Sequence, residues 1–172
     1  MPKVRCSKCG AEHDLSGIEP TFKRPDAFIG VPAAERERRV SHSDDTCLIT
    51  SVDGKDLTCF LRVMLRVPIR GESRPIGWGL WVEVDAQTYW RVSELWNDED
   101  QNAEPPFTCA LANEIPNYPS TLGLPAMMRL ERPGVRPSVV LAPGSDHPFA
   151  LEARMDVHLE RALEWRLWSV HP

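Results

Sequence analysis

Cys6, Cys9 and His13 stand in the pattern C-x2-C-G-x2-H, and that spacing points to metal chemistry. Two thiolates separated by two residues reach one tetrahedral Zn2+, and the glycine after the second cysteine lets the backbone bend around the ion. No second C-x2-C is present, so a completing ligand has to come from far along the chain or from a second copy. The expected structural zinc set is Cys6, Cys9, His13 and Cys47, with His42 as the substitute for nearby Cys47. Cys59 and Cys109 fall in apolar strand patterns and are expected as core thiols. The competing reading of the pair is a turn capped by thiols without metal. Redox chemistry is disfavoured, because a thioredoxin-type pair opens a helix and Gly10 closes one almost at once.

A second constellation lies in residues 57–85, LTCFLRVMLRVPIRGESRPIGWGLWVEVD. Cys59, Leu61, Val63, Leu65 and Val67 alternate with Phe60, Arg62, Met64 and Arg66, the period-two pattern of a half-buried strand. Ile76, Trp78, Leu80, Val82 and Val84 share a face in the return run. Pro68, Gly71 and Pro75 bracket a connection that neither ladder can continue. A symmetrical turn puts Trp81 opposite Arg62 and sets Gly77 and Gly79 beside Arg66 and Met64. Guanidinium and indole groups beside bare backbone form a groove for a small anionic or planar ligand, with Arg62, Arg66 and Trp81 as its walls and His147 as a further ligand candidate. The plainer alternative is that these arginines cover the solvated face of an antiparallel sheet. Asp146 beside His147 does not make a catalytic pair, since adjacent helical residues rarely orient each other and no G-x-S-x-G nucleophile motif occurs. No catalytic residue is assigned.

The elements that position these groups are read from periodicity and caps. Pro32 opens a short charged helix, AAERERR, whose Glu and Arg residues form a solvated face. A strand at Thr46 to Thr50 feeds the central hairpin. Asp85 caps a helix with Ala86, Tyr89, Val92 or Ser93 and Trp96 on one stripe. Strands follow at Phe107 to Ala112, Met127 to Glu131 and Val139 to Leu141. Asp146 is a natural N-cap with Pro148 in the first turn, and VHLERALEWRLWSV forms the last helix. The fold class is α+β in a single domain, 1–172, a mostly antiparallel sheet around the central hairpin with helices packed on one face. Residues 1–14 form a zinc-knuckle-like N-terminal segment, 46–142 hold the sheet and inserted helix, and 146–170 the C-terminal helical section.

Composition narrows the function classes. With 172 residues, 42% hydrophobic and 26% charged, the chain suits one globular domain with a real core. Arg62 and Arg66 interrupt its most apolar run, so no membrane span is expected. MPKVRCSKCG lacks the apolar stretch of a secretion signal, and an odd cysteine count suits a reducing compartment; the cytoplasm is the expected location. A net charge of -5 opposes general nucleic-acid binding. The acidity belongs to the C-terminal half, where seven basic residues from Asp85 onward stand against thirteen acidic ones.

CSKCGAEH, the Glu-Arg helix, D-x-C at Asp45 to Cys47, GWGLWVEV at 77–84, IPNYPSTLGL at 115–124 and SDHPFALE at 145–152 together resemble the bacterial family known as domain of unknown function 2199. The resemblance spans most of the chain. It implies a soluble prokaryotic protein with no assigned activity, and marks Cys6, Cys9, His13, Cys47, Trp78 and His147 as positions of interest without giving any a reaction. The chain departs from the family pattern at Thr46, where an apolar residue is usual, and runs past the usual C-terminal helix.

The leading functional expectation is a small cytosolic binding or interaction module with a structural zinc. The alternatives are a zinc-dependent hydrolase whose three-ligand metal keeps an open position, with Glu12 or His147 as base, and an immunity-type protein that captures a partner. Expected partners are an unknown protein or a small anionic ligand, and the edge of the last helix is a candidate homodimer contact.

Overall fold

The computed structural model describes residues 3–6, 9–15 and 17–170, without the side chain of Lys3; Ser7 and Lys8, inside the cysteine turn, lie outside the described residues. In order the chain forms β1 (Lys3–Arg5), β2 (Glu12–Asp14), α1 (Asp26–Gly30), α2 (Ala33–Arg39), β3 (Val40–His42), β4 (Thr46–Thr50), β5 (Leu57–Val67) and β6 (Ile76–Val84). It continues with α3 (Ala86–Leu95), β7 (Phe107–Leu111), β8 (Pro125–Arg129), β9 (Ser138–Leu141), α4 (Pro148–Arg154) and α5 (Leu159–Val170).

The central hairpin forms in the expected register, with Arg62 opposite Trp81, Met64 opposite Gly79 and Arg66 opposite Gly77. β5 is long enough to use one edge twice. Its first residues pair antiparallel with β4, and Met64 and Leu65 pair in parallel with Ser138 and Val139 of β9. Because β6, β7, β8 and β9 are neighbours in turn, that parallel contact closes β5–β9 into a five-stranded barrel. The expectation of a mostly antiparallel sheet holds, but β5–β9 close on themselves instead of forming an open sheet.

Apolar alternation explains the packing. The odd-numbered β5 residues from Cys59 to Val67 and the even-numbered β6 residues share one core with Tyr89, Val92 and Leu95 of α3, Phe149, Ala150 and Ala153 of α4, and Ala162 and Trp165 of α5. The helices α3, α4 and α5 pack on this core, and the opposite face is covered as well. There Phe60 and Trp81 join Cys47, Ile49, Val31 and Ala112, with Phe22 and Phe28 packed against them. Aromatic side chains at 22, 28, 60 and 81 supply enough apolar area to hold residues 20–31 against the sheet.

Local capping follows the sequence in one helix and departs from it in another. Asp85 caps α3 by accepting from the Thr88 N–H at 2.6 Å. At α4 the cap is His147, not Asp146: Nδ1 of His147 accepts from the Phe149 N–H at 3.1 Å, and Pro148 takes the first helical position. α2 buries no residue, and its Arg39–Glu35 pair at 2.6 Å fits the solvated face expected of it.

Candidate functional site

β1 and β2 are three residues each and pair antiparallel, Val4 opposite His13 and Arg5 opposite Glu12. The turn between them is tied by Cys6 N–H to Ala11 C=O and by Gly10 N–H to Cys6 C=O, each at 2.8 Å. Gly10 sits at φ 72°, a conformation that a Cβ disfavours, so the glycine after Cys9 is what lets the turn fold back. The result brings one ligand atom each from Cys6, Cys9 and His13 within 4.8 Å of one another, with Cys9 Sγ and His13 Nε2 3.1 Å apart. Tetrahedral Zn–S and Zn–N bonds put such donors about 3.5–3.8 Å apart, so shifts of about 1 Å or less would bring all three onto one ion. Cys6 is buried, His13 half-buried and Cys9 exposed.

Cys47 is not in that group. It is fully buried among Phe60, Trp81, Ile49 and Val31, and burial pushes its thiol up to about 11 despite the nearby Arg24 charge. A thiol held neutral by an apolar shell is a poor metal ligand, which requires the thiolate. His42, its substitute, lies opposite Cys47 in the β3–β4 ladder with its ring edge against Phe28. Burial also raises Cys59, and pushes Cys109 up to about 12, in keeping with core thiols. No disulfide joins any of the five cysteines.

The groove expected beside Trp81 is filled by the chain itself. Phe22 N–H donates to Gly79 C=O and Gly79 N–H to Pro20 C=O, so residues 20–22 occupy the edge of β6 that β7 leaves free. Trp81 is fully buried and its Nε1–H donates to Phe22 C=O. Arg62 is turned inward too: it donates to Thr21 Oγ1 at 2.9 Å, and burial followed by the Arg136 charge lowers its pKa. The two glycines make room for this segment. A Cβ on Gly79 would lie 2.3 Å from Thr21 Oγ1, and one on Gly77 2.6 Å from a Glu19 carboxylate oxygen.

Arg66 and His147 lie apart from each other. Arg66 lines a separate cleft with Met64, Asp45 and Arg136, where Arg136 Nε meets Asp45 Oδ1 at 2.6 Å. His147 is occupied at both nitrogens. With Nδ1 accepting from Phe149 N–H, Nε2 carries the proton and donates to Pro119 C=O at 3.2 Å. The residue therefore ties the start of α4 to the 115–124 loop. Near it Glu152 accepts from Tyr118 OH at 2.5 Å and from Arg161 Nε at 2.9 Å. For Arg161 burial opposes the charge, but Glu152 and Glu164 more than offset it and raise its pKa; burial and Glu152 raise that of Tyr118.

Sequence reasoning passed over Arg166. This residue of α5 is 7% exposed, and its Nε and Nη1 make no hydrogen bond. The signal in the sequence is an arginine between the apolar residues Trp165 and Leu167 of the last helix. No described helix is long and apolar enough to cross a membrane.

No curated protein and no solved structure matches this chain. The family model described as uncharacterised protein conserved in bacteria, DUF2199, matches residues 5–157, from the cysteine hairpin to the segment before α5. The chain belongs to that bacterial family.

Proposed function

We propose that this protein is a small binding module of the reducing cytoplasm whose N-terminal hairpin is clasped by a structural zinc ion. The observation that carries the reading is the convergence of Cys6, Cys9 and His13 within 4.8 Å on a hairpin of three-residue strands. Two thiols and an imidazole form a donor set that suits zinc. Cys6, Cys9 and His13 would hold the ion, and it would supply charge and cross-linking to a hairpin too short to be stable by itself. Metal analysis of protein purified without added zinc tests this directly. About one zinc per chain, lost in Cys6→Ser and Cys9→Ser, is the expected result; metal-free protein with the same stability overturns it.

A hydrolytic zinc centre is the second reading, favoured by one observation: the group supplies three ligands and Cys9 is exposed. Glu12, next to His13 on β2, would then act as the base. X-ray absorption separates the two readings. Four protein or partner ligands support the clasp; three with a bound water, together with ester hydrolysis lost in Glu12→Gln while zinc is kept, support the enzyme.

A further inference from the structure

Three segments converge on a cleft of about 360 Å3: Gly17 and Glu19 from the covering segment, Glu72, Ser73 and Arg74 from the β5–β6 turn, and Leu159 and Arg166 from α5. Arg166 is more than nine-tenths buried, and neither Nε nor Nη1 has a hydrogen-bond partner. A guanidinium keeps its charge at any ordinary pH, and burying it without an acceptor is costly. Buried arginines normally meet a carboxylate or a row of carbonyls. Among the described residues the ion pairs of the chain lie elsewhere, and none joins Arg166 or Arg74 to Glu19 or Glu72.

The geometry points to a ligand site: we propose that this cleft binds a small zwitterionic carboxylate of the α-amino-acid type. Its carboxylate accepts from the Arg166 guanidinium, and its ammonium group faces the Glu19 and Glu72 side. Charge balance selects this class. Two arginines and two glutamates line the cleft, so a ligand with one charge of each sign meets an opposite charge at both ends and keeps the net charge of the site at zero. A phosphate dianion would meet two carboxylates, and a simple amine would leave Arg166 unanswered. Planar carboxylate also matches the guanidinium fork better than a single point acceptor does. The size is right for a molecule of this kind, at the low end of small-ligand sites.

The site is independent of the metal reading, since none of the zinc candidates lines the cleft. It also differs from the groove expected beside Trp81, because the anion is received by Arg166 at the far end of the hairpin. α5 begins after residue 157, so Arg166 lies outside the family match, while Glu19, Glu72 and Arg74 lie within it.

Amide and Arg Nε chemical shifts of the intact protein as purified, titrated with each of the twenty common amino acids, test the proposal. Acetate, butylamine and inorganic phosphate serve as controls. At least one amino acid is expected to shift residues 17–19, 72–75 and 166 saturably, and to bind about tenfold or more tightly than acetate or butylamine. Arg166→Leu should weaken that binding by on the order of tenfold to a hundredfold, the value of a charge-assisted pair. Should Arg166→Leu fail to fold, the exposed variants Arg74→Ala and Glu72→Gln take its place, each expected to weaken binding several-fold. Saturation by no amino acid overturns the proposal. So does phosphate binding more tightly than all of them, or a bound amino acid that is indifferent to the variants.

Discussion

The five cysteines divide between two regions that treat one side chain in opposite ways. In the β1–β2 hairpin, Cys6 and Cys9 are drawn together with His13, with Cys9 open to solvent. In the barrel and the β4 strand beside it, Cys47 and Cys59 are surrounded by apolar side chains, and Cys109 on β7 is largely desolvated; all three thiols are pushed upward. The hairpin has little apolar area to hold it, whereas the barrel has two packed faces. Where packing supplies the stability, cysteine behaves as a small hydrophobe. Where it does not, the spacing sets two thiols beside an imidazole, a donor set that suits a metal.

The largest effect should come from removing a donor in the hairpin. Cys6→Ser is expected to weaken zinc binding by on the order of a hundredfold or more, since losing even an outer partner of a ligand costs about 10–100-fold. Cys47→Ala should leave the zinc content unchanged and lower stability instead. Paired metal analysis and urea unfolding of the two variants read both quantities. Zinc lost equally from both would erase the contrast, because it would put Cys47 back among the ligands.

The barrel is sensitive to volume where the hairpin is sensitive to donors. Gly79→Ala would press a methyl group against the Thr21 side chain, 2.3 Å from Oγ1 and 3.1 Å from Cβ, next to the backbone bonds that hold residues 20–22. We expect about 1–3 kcal/mol of destabilisation, the usual cost of overpacking. Gly77→Ala should cost less, because its clash is with the far end of the exposed Glu19 side chain, which can swing away. Chemical denaturation of both settles the order. Equal losses would mean that the covering segment is held more loosely than its hydrogen bonds indicate.

Alkaline pH should separate the regions more finely. The Cys47 thiol titrates near 9 when exposed and at about 11 in the fold, so its proton is held more tightly by the folded chain. Its contribution to stability is complete below pH 9 and is lost as pH rises through 11. Between pH 9 and 10.5 that loss amounts to about 1–2 kcal/mol. Unfolding free energies across this range should fall more steeply for the natural protein than for Cys47→Ala; parallel slopes would show that another group sets the alkaline limit.

These regions also differ in how far the sequence disclosed them. Alternation in residues 57–84 gave the hairpin and its register, because period two and a Gly/Pro turn leave few other pairings. The cysteine spacing gave the cluster, because a C-x2-C turn is a local geometry. Barrel closure was not legible: it depends on Met64 and Leu65 meeting Ser138 and Val139, a distant parallel pair with no local signature. The groove failed for a related reason. Gly77 and Gly79 announced a close approach, but nothing in Glu19–Phe22 said that an extended segment of the same chain would make it. Arg166 was hidden because a helical stripe predicts burial and says nothing about whether a buried cation finds an acceptor.

His147 offers the smallest of these tests and bears on how the family motifs are used. The SDHPFALE and IPNYPSTLGL segments meet through His147 with Pro119 and through Glu152 with Tyr118, which ties the two segments together. Arg161, from α5 beyond the family match, then binds Glu152 and Tyr118, so the extension is fastened onto family residues. His147→Ala removes an N-cap and one loop contact and should cost about 1 kcal/mol, in the range of lost caps. His147→Asn keeps a capping acceptor while losing the reach to Pro119, and should restore about half of that. If Asn fully matched histidine, the Pro119 contact would be idle and the cap alone would explain the residue. If neither change mattered to stability while ligand binding or catalysis was lost, His147 would belong with the hairpin's reactive side chains and not with the barrel's structural ones.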